Sequence, residues 1–267
     1  MSAQIVAITG AGRGIGRGLA LAFARSGARA VVVSDVDGAA AESVADEVRT
    51  LGCDALALQI DVTSAADCTA LVDATCEAYG RIDVAICNAG ITLVRSLLDL
   101  QAEDFDRTLA VNVKGAFLTL QAAARRMLLQ PPPAPGRPRG KILTMASIAG
   151  RSGAGPIAAV LAPYRASKAA LISLTQSAAV ALAPAITVNA ICPGLVDTEM
   201  WKQIDGAWTT LPGLARGQAW QQRVAAVPMG RPQQPEDVAG LALYLASPAA
   251  DYMTGQSINI DGGLMMN

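Results

Sequence analysis

Ile5-Val6-Ala7-Ile8-Thr9-Gly10-Ala11-Gly12-Arg13-Gly14-Ile15-Gly16 is the stretch that decides the fold. The apolar run Ile5 to Ile8 predicts a buried parallel strand, the glycines predict a turn, and Arg17 to Ser26 reads as a helix. Strand, glycine turn and helix are the first half of a dinucleotide-binding βαβ unit, whose helix N-terminus offers N–H groups and a positive dipole end to a pyrophosphate. Glycine lets the backbone approach the phosphates and the helix approach the strand. The spacing Gly10, Gly14, Gly16 is a variant of the G-x-G-x-x-G pattern. By itself it also fits a structural turn with surplus glycines.

Outward from that turn, Ala30-Val31-Val32-Val33-Ser34 predicts a second strand with Asp35 at its end, about 20 residues past the glycines, where a carboxylate accepts hydrogen bonds from the adenosine ribose. Asp35 would also repel a 2′-phosphate, because two like charges ~4 Å apart cost up to about 4 kcal/mol at an effective dielectric of about 20. Arg13 argues the other way, since a guanidinium in the turn can pair with that phosphate. Asp35 is given the greater weight, so NAD is expected over NADP. An ordinary strand-end carboxylate is the alternative for Asp35.

The alternation continues through helix Ala39 to Thr50, strand Ala55 to Ile60, Asp61-Val62-Thr63, helix Ala65 to Tyr79 and strand Ile82 to Cys87, followed by the small Asn88-Ala89-Gly90. Helix Ala102 to Gln130 is stopped by Pro131-Pro132-Pro133-Ala134-Pro135-Gly136, read as an exposed loop because strand Lys141 to Met145 resumes the pattern. Strand Thr187 to Cys192, helix Pro235 to Ala246 and strand Gln256 to Ile260 complete it. Such a pattern predicts an α/β, three-layer, doubly wound Rossmann fold: a parallel sheet of about seven strands with helices on both faces, in one domain over 1–267. Ligands of such sheets bind beyond the carboxyl ends of the strands.

Composition narrows the chemistry. Apolar residues make up 52% and charged residues 16%, the net charge is −1, and there is no histidine, so neither a Ser-His-Asp triad nor a histidine base can exist. The charge gives no case for nucleic acid or an anionic membrane. Cys53, Cys68, Cys76, Cys87 and Cys192 show no paired spacing, and no metal is expected. Met1-Ser2-Ala3-Gln4 opens no leader-like segment and no apolar run reaches the ~18 residues of a membrane span. A cytoplasmic protein is the expectation.

Acid-base work therefore falls to other groups. Tyr164-Arg165-Ala166-Ser167-Lys168 begins an alanine-rich run free of glycine and proline to Ala183. In a helix, Tyr164 and Lys168 stand one turn apart on one face. A phenol has an ordinary pKa of about 10, and a neighbouring cation brings it towards the range of general acid-base catalysis. A surface helix with the same spacing is the alternative. Asn112 stands among Val111, Val113 and Phe117 and needs a partner, which a self-satisfied helix-bending Asn would also have. Ser147 follows a strand at its ligand-binding end, where a serine taken alone is more often a turn or cap residue. Met200, Trp201, Ile204, Trp208, Leu211, Leu214 and Trp220 fall in the segment 197–228, which reads as a substrate-covering lid or as a helix pair packing on the core.

In this order, Thr9-Gly10-x-x-x-Gly14-x-Gly16, Asp61, Asn88-Ala89-Gly90, Asn112, Ser147, Tyr164-x-x-x-Lys168 and Pro193-Gly194-x-x-x-Thr198 resemble the short-chain dehydrogenase/reductase family over nearly the whole chain. The resemblance implies Tyr164 as catalytic acid/base, Lys168 as the group that lowers its pKa and binds the nicotinamide ribose, Ser147 on the substrate oxygen, and Asn112 behind a proton-relay water. It implies Asp61 at the adenine, Asn88, Ala89 and Gly90 along the cofactor cleft, and Thr198 near the carboxamide. Ile15, Val62, Pro193, Gly194 and Val196 go with their motifs as cofactor contacts. Cys87 replaces a further Asn, and Arg151 to Ile157 opens a segment a few residues longer than is usual in the family. Pro193 to Asn267 is similar to the acetoin/butanediol and polyol (sorbitol-type) dehydrogenase branch. The expected function is NAD-dependent oxidation or reduction of a small secondary alcohol or ketone. An NADPH-dependent 3-oxoacyl carrier-protein reductase and a silent nucleotide-sensing regulator are the alternatives. Alanine and leucine all round helix Tyr164 to Leu182 predict burial on every side and hence a homo-oligomer, a tetramer or a dimer.

Overall fold

The computed structural model describes residues 4–152, 156–208, 215 and 217–266. Seven strands form one parallel sheet in the order β3-β2-β1-β4-β5-β6-β7: β1 is Ile5–Thr9, β2 Ala30–Asp35, β3 Asp54–Gln59, β4 Val84–Cys87, β5 Gly140–Met145, β6 Ile186–Pro193 and β7 Ser257–Ile260. Helices cover both faces, as expected. On one side α1 (Gly14–Arg25), α2 (Gly38–Thr50) and α9 (Pro235–Ala246) pack on Val6, Ile8, Val31 and Val33. On the other, α3 (Ala65–Tyr79), α5 (Ala116–Leu129) and α6 (Ala162–Leu182) pack on Ala7, Val32, Ala85 and Ile142. Alternate residues of β1, β2 and β4 thus enter opposite cores, which is why these strands read as apolar runs.

The long helix expected over Ala102 to Gln130 is divided. It runs as α4 (Ala102–Leu109), a π-helical turn (Ala110–Gly115) and α5. A π turn carries an extra residue per turn and often marks a functional site. Gly115 closes it because a Cβ there would lie 2.6 Å from Val62 Cγ2. The segment 197–228 contains α7 (Glu199–Trp208) and α8 (Gln218–Ala225). Leu211, Leu214, Gly153, Ala154, Gly155 and the side chain of Trp208 lie outside the described residues. Among the described residues no helix is long and apolar enough to cross a membrane.

The order reverses between β1 and β4, so the crevice above their carboxyl ends is the topological switch point. Gly10, Asp35, Asn88, Ser147 and Gly194 all stand at or just beyond strand ends on that side. The opposite end is held by a different device. Lys141 on β5, its side chain 5% exposed, pairs with Asp251 Oδ1 at 2.7 Å and donates to the Ser247 carbonyl at 2.9 Å. Arg137 Nε holds the other Asp251 oxygen at 2.7 Å. Burial pushes the Asp251 carboxyl up, but the hydrogen bonds from Arg137 and Lys141 more than offset it and leave it below its usual value.

Removing one partner of a buried pair leaves an uncompensated charge. Asp251→Ala is expected to cost about 3 kcal/mol of folding stability, and adding Lys141→Met to recover most of it. Denaturant titration of the single and double variants checks this, and purely additive losses would contradict it.

Candidate active site

A cleft of about 1010 Å³ lies above the carboxyl ends of the strands. Gly10, Arg13, Ile15, Gly16, Asp35, Asp61, Val62, Asn88, Ala89, Gly90, Ser147, Tyr164, Lys168, Pro193, Gly194, Val196 and Thr198 all line it. Gly14 and Asn112 are not among the residues that line it.

The glycine turn is closed by contacts that no side chain could share. A Cβ on Gly16 would lie 2.3 Å from the Gly10 carbonyl, and one on Gly10, which has φ 62°, would lie 2.7 Å from Ala89 Cα. Asn88 fastens this turn to β4, its Nδ2 donating to the Thr9 and Gly10 carbonyls at 3.0 and 2.9 Å. Asp35 Oδ2 accepts from Gly12 N at 2.9 Å and Oδ1 from Asp37 N at 3.1 Å, so the carboxylate is anchored where β2 meets the turn. Arg13 is exposed and stands 3.9 Å from Asp37. Asp61 Oδ1 accepts from the Thr63 N–H at 2.9 Å and hydroxyl at 2.8 Å.

Tyr164 and Lys168 lie one turn apart on α6, with Lys168 Nζ 5.5 Å from the centre of the phenol ring. Lys168 Nζ donates to the Met145 carbonyl at 2.7 Å, which leaves two of its three donors for a ligand. Burial pulls this ammonium down to about 8, slightly opposed by Cys192. The Tyr164 phenol by itself is shifted upward. Burial pushes the phenol up, and the group that draws it back down is Ser147, through a hydrogen bond. Desolvation disfavours the phenolate, and the ammonium sits against the ring. Ser147 Oγ accepts from Ala149 N at 3.1 Å, which fixes the start of the turn after β5.

Asn112 is fully buried within the π turn. Its Oδ1 accepts from Ile91 N at 2.8 Å, and its Nδ2 donates to Ile91 O at 2.9 Å and Ser167 Oγ at 2.9 Å. It therefore ties together the loop after β4, the π turn and α6. Gly90 leaves room for this, since a Cβ there would meet Asn112 Oδ1 at 3.4 Å and Lys168 Nζ at 3.5 Å. Cys87 beneath the cleft has its thiol pushed up to about 12 by burial, which keeps it neutral.

The segment 197–228 both packs on the protein and reaches the cleft. Asp205 on α7 accepts from Gly217 N at 2.7 Å and Trp220 N at 3.2 Å, capping α8. Trp201 and Trp220 meet in a tilted arrangement, ring planes at 56° and centroids 5.5 Å apart. Ile204 of α7 and Ala219 of α8 pack with Ile157, Val160 and Leu161, so the longer Ser147 to Tyr164 segment seats these two helices. Met200, Trp201 and Gln203 meanwhile line the cleft. The motifs missed further wall residues, among them Thr92, Leu93, Arg107, Val111 and Lys114. Their only signal was proximity in sequence to Asn88-Ala89-Gly90 and Asn112.

The family described as "Enoyl-(Acyl carrier protein) reductase" matches residues 10–265. The chain is 42% identical over 261 residues to a sorbitol dehydrogenase of Cereibacter sphaeroides, covering 97% of this chain and 96% of that protein. A crystal structure of a short-chain type dehydrogenase/reductase from Mycobacterium marinum superposes with a TM-score of 0.86 at 39% identity, over 100% of this chain and 97% of that one. The structure of an NAD+-bound xylitol dehydrogenase does so with a TM-score of 0.90 at 33% identity, over 98% of this chain and 99% of that one. By this match and these likenesses, the chain belongs to the short-chain dehydrogenase/reductase family.

Proposed function

We propose that the protein is an NAD-dependent oxidoreductase acting on a small secondary alcohol or ketone of the polyol, diol or hydroxyketone class. The observation that carries this reading is the placement of Tyr164, Lys168 and Ser147 on one wall of a cleft whose far end is the glycine turn. The likeness to a sorbitol and a xylitol dehydrogenase supports the substrate class. The turn suits a dinucleotide, because it borders the cleft and α1 begins there with its unpaired N–H groups. A nicotinamide cofactor, when bound, supplies the hydride acceptor or donor.

The residues of this chain do the rest. Ser147 and Tyr164 hold the substrate oxygen. During oxidation the Tyr164 phenolate takes the hydroxyl proton, and during reduction the phenol returns it. Lys168 keeps its charge at neutral pH and offers two donors to a ribose. Asn112 Oδ1 keeps a second acceptor position on the same side of Gly90 as Lys168 Nζ, which suits a water between them. The lid helices over 197–228 exclude bulk water, and the domain over 1–267 works as one unit. Asp35, anchored beside Gly12, favours NAD, while Arg13, exposed at 3.9 Å from Asp37, is the group that argues for NADP. Reduction of a carrier-bound oxoacyl group with NADPH is the second reading, favoured by the matching family's description. Five free cysteines accord with a cytoplasmic setting, and neither nucleic acid nor membrane is needed as a partner.

The outward face of α6 carries Ala166, Ala169, Ser173, Gln176, Ser177 and Val180, whereas Leu171 is buried and Leu174 half-buried. The helix is thus not apolar all round, as the sequence suggested, but presents small side chains that allow another helix to approach closely. We infer a homo-oligomer, a tetramer or a dimer, built on this face. Light scattering should give at least twice the chain mass, and Ser173→Arg should reduce it. A wild-type monomer would overturn the inference.

The functional reading is tested by assaying polyols, diols and a 3-oxoacyl thioester with both cofactors. Polyol or diol oxidation with NAD should exceed that with NADP by about tenfold or more, the scale of a partly screened charge repulsion. Tyr164→Phe should lower kcat by about 10²–10⁴-fold while NADH still binds. Preference for the thioester with NADPH would instead support the second reading. Unchanged biological output in Tyr164→Phe would support a silent regulator.

A further inference from the structure

A buried hydroxyl on the cleft wall has no partner within the protein. Among the described residues a few buried side-chain polar atoms lack a hydrogen-bond partner, and Thr92 Oγ1 is the one that belongs to a residue lining the cleft. Leaving such a group unsatisfied costs free energy that a ligand atom can recover.

The backbone around Thr92 gives it little room to turn away. On one side, both polar groups of the Ile91 backbone are held by the Asn112 side chain, at 2.8 and 2.9 Å. On the other, Val94 packs in the cluster that contains Tyr164, Met200 and Trp201, and Arg95 N donates to Val160 O at 3.0 Å. Arg95 also pairs with Asp104 on α4. Thr92 is β-branched, so its χ1 is restricted as well. The loop therefore presents a fixed hydroxyl on the stretch of wall between the Lys168 side of the cleft and the lid.

We infer that Thr92 is a specificity-determining residue whose Oγ1 binds a non-reacting hydroxyl of the substrate, next to the carbinol held by Ser147 and Tyr164. This rests on the alcohol-oxidising reading proposed above and deepens it. A threonine hydroxyl is both donor and acceptor, which matches another hydroxyl and makes no use of an acyl chain. A substrate with a single hydroxyl would leave Oγ1 unpaired, so the subsite selects for polyhydroxylated compounds.

Thr92→Val is nearly isosteric and removes the hydroxyl. Sorbitol and cyclohexanol, a secondary alcohol with no second hydroxyl, serve as probes, with NADH affinity and melting temperature measured alongside. The expected result is a fall of about tenfold in kcat/KM for sorbitol, the size of one hydrogen bond to substrate, with cyclohexanol turnover changed less than about twofold. NADH affinity and melting temperature should hold, and Thr92→Ser should keep most of the sorbitol activity. Equal losses on both alcohols, no loss on either, or weakened NADH binding would overturn the assignment, the last by giving the hydroxyl to the cofactor. If the wild-type chain oxidises no polyol, the functional reading fails separately. Sorbitol-induced stabilisation of the NADH complex then decides the subsite: present in wild type and lost in Thr92→Val upholds it, and absent in both overturns it.

Discussion

The Lys168 ammonium, on a residue only 4% exposed, is the constraint around which the cleft is arranged. A desolvated cation needs acceptors, and the nearest one here is the last carbonyl of β5, Met145 O at 2.7 Å. That bond fixes α6 against the carboxyl end of the sheet and so fixes Tyr164, one turn earlier on the same face. The neighbours comply with it. Gly90 leaves room beside Nζ, and Gly150 must lack a Cβ because one would lie 2.6 Å from the Lys168 carbonyl carbon. Asn112 and Ser167 hold the same helix to the π turn through a 2.9 Å hydrogen bond. Disturbing any of these moves the phenol relative to the cleft.

Function and stability are separated along the sheet. The carboxyl ends carry hydrogen-bonded turns with small residues and anchored polar groups. The opposite end carries the Arg137–Asp251–Lys141 ion pairs, which tie β5 to the segment before β7 far from the chemistry. Helices α7 and α8 join the cleft through packing, since they and the Ile157 to Leu161 stretch share one apolar cluster with Tyr164 at its edge. Changes in that stretch can therefore reshape substrate access without touching the Tyr164–Lys168 pair.

Much of this was legible in the sequence. Strands buried on both faces betray themselves as apolar runs, and glycines required by close backbone contact, as at Gly10 and Gly16, have no substitute. What was not legible came from tertiary contacts. No local pattern distinguishes a π turn at Ala110–Gly115 from regular helix, and Thr92 resembles any loop threonine until the cleft is seen around it. The outward face of α6 looked apolar because alanine counts as apolar, although in the fold it forms a smooth, small surface. Sequence spacing likewise gives the neighbour of a group but neither its burial nor the direction from which a charge approaches.

Burial of Lys168 has a definite sign. Its folded pKa lies below the unfolded value, so folding releases protons between about 8 and 10.5, and this contribution to stability grows as pH rises through that window. The most direct measurement is the titration of the Lys168 side chain in the cofactor-free protein by NMR, its signal assigned with Lys168→Arg. A midpoint near about 8 is the result the buried, carbonyl-bound ammonium requires. A midpoint at the ordinary lysine value of 10.5 or above would mean a solvated side chain, and the positioning of Tyr164 derived from it would be wrong.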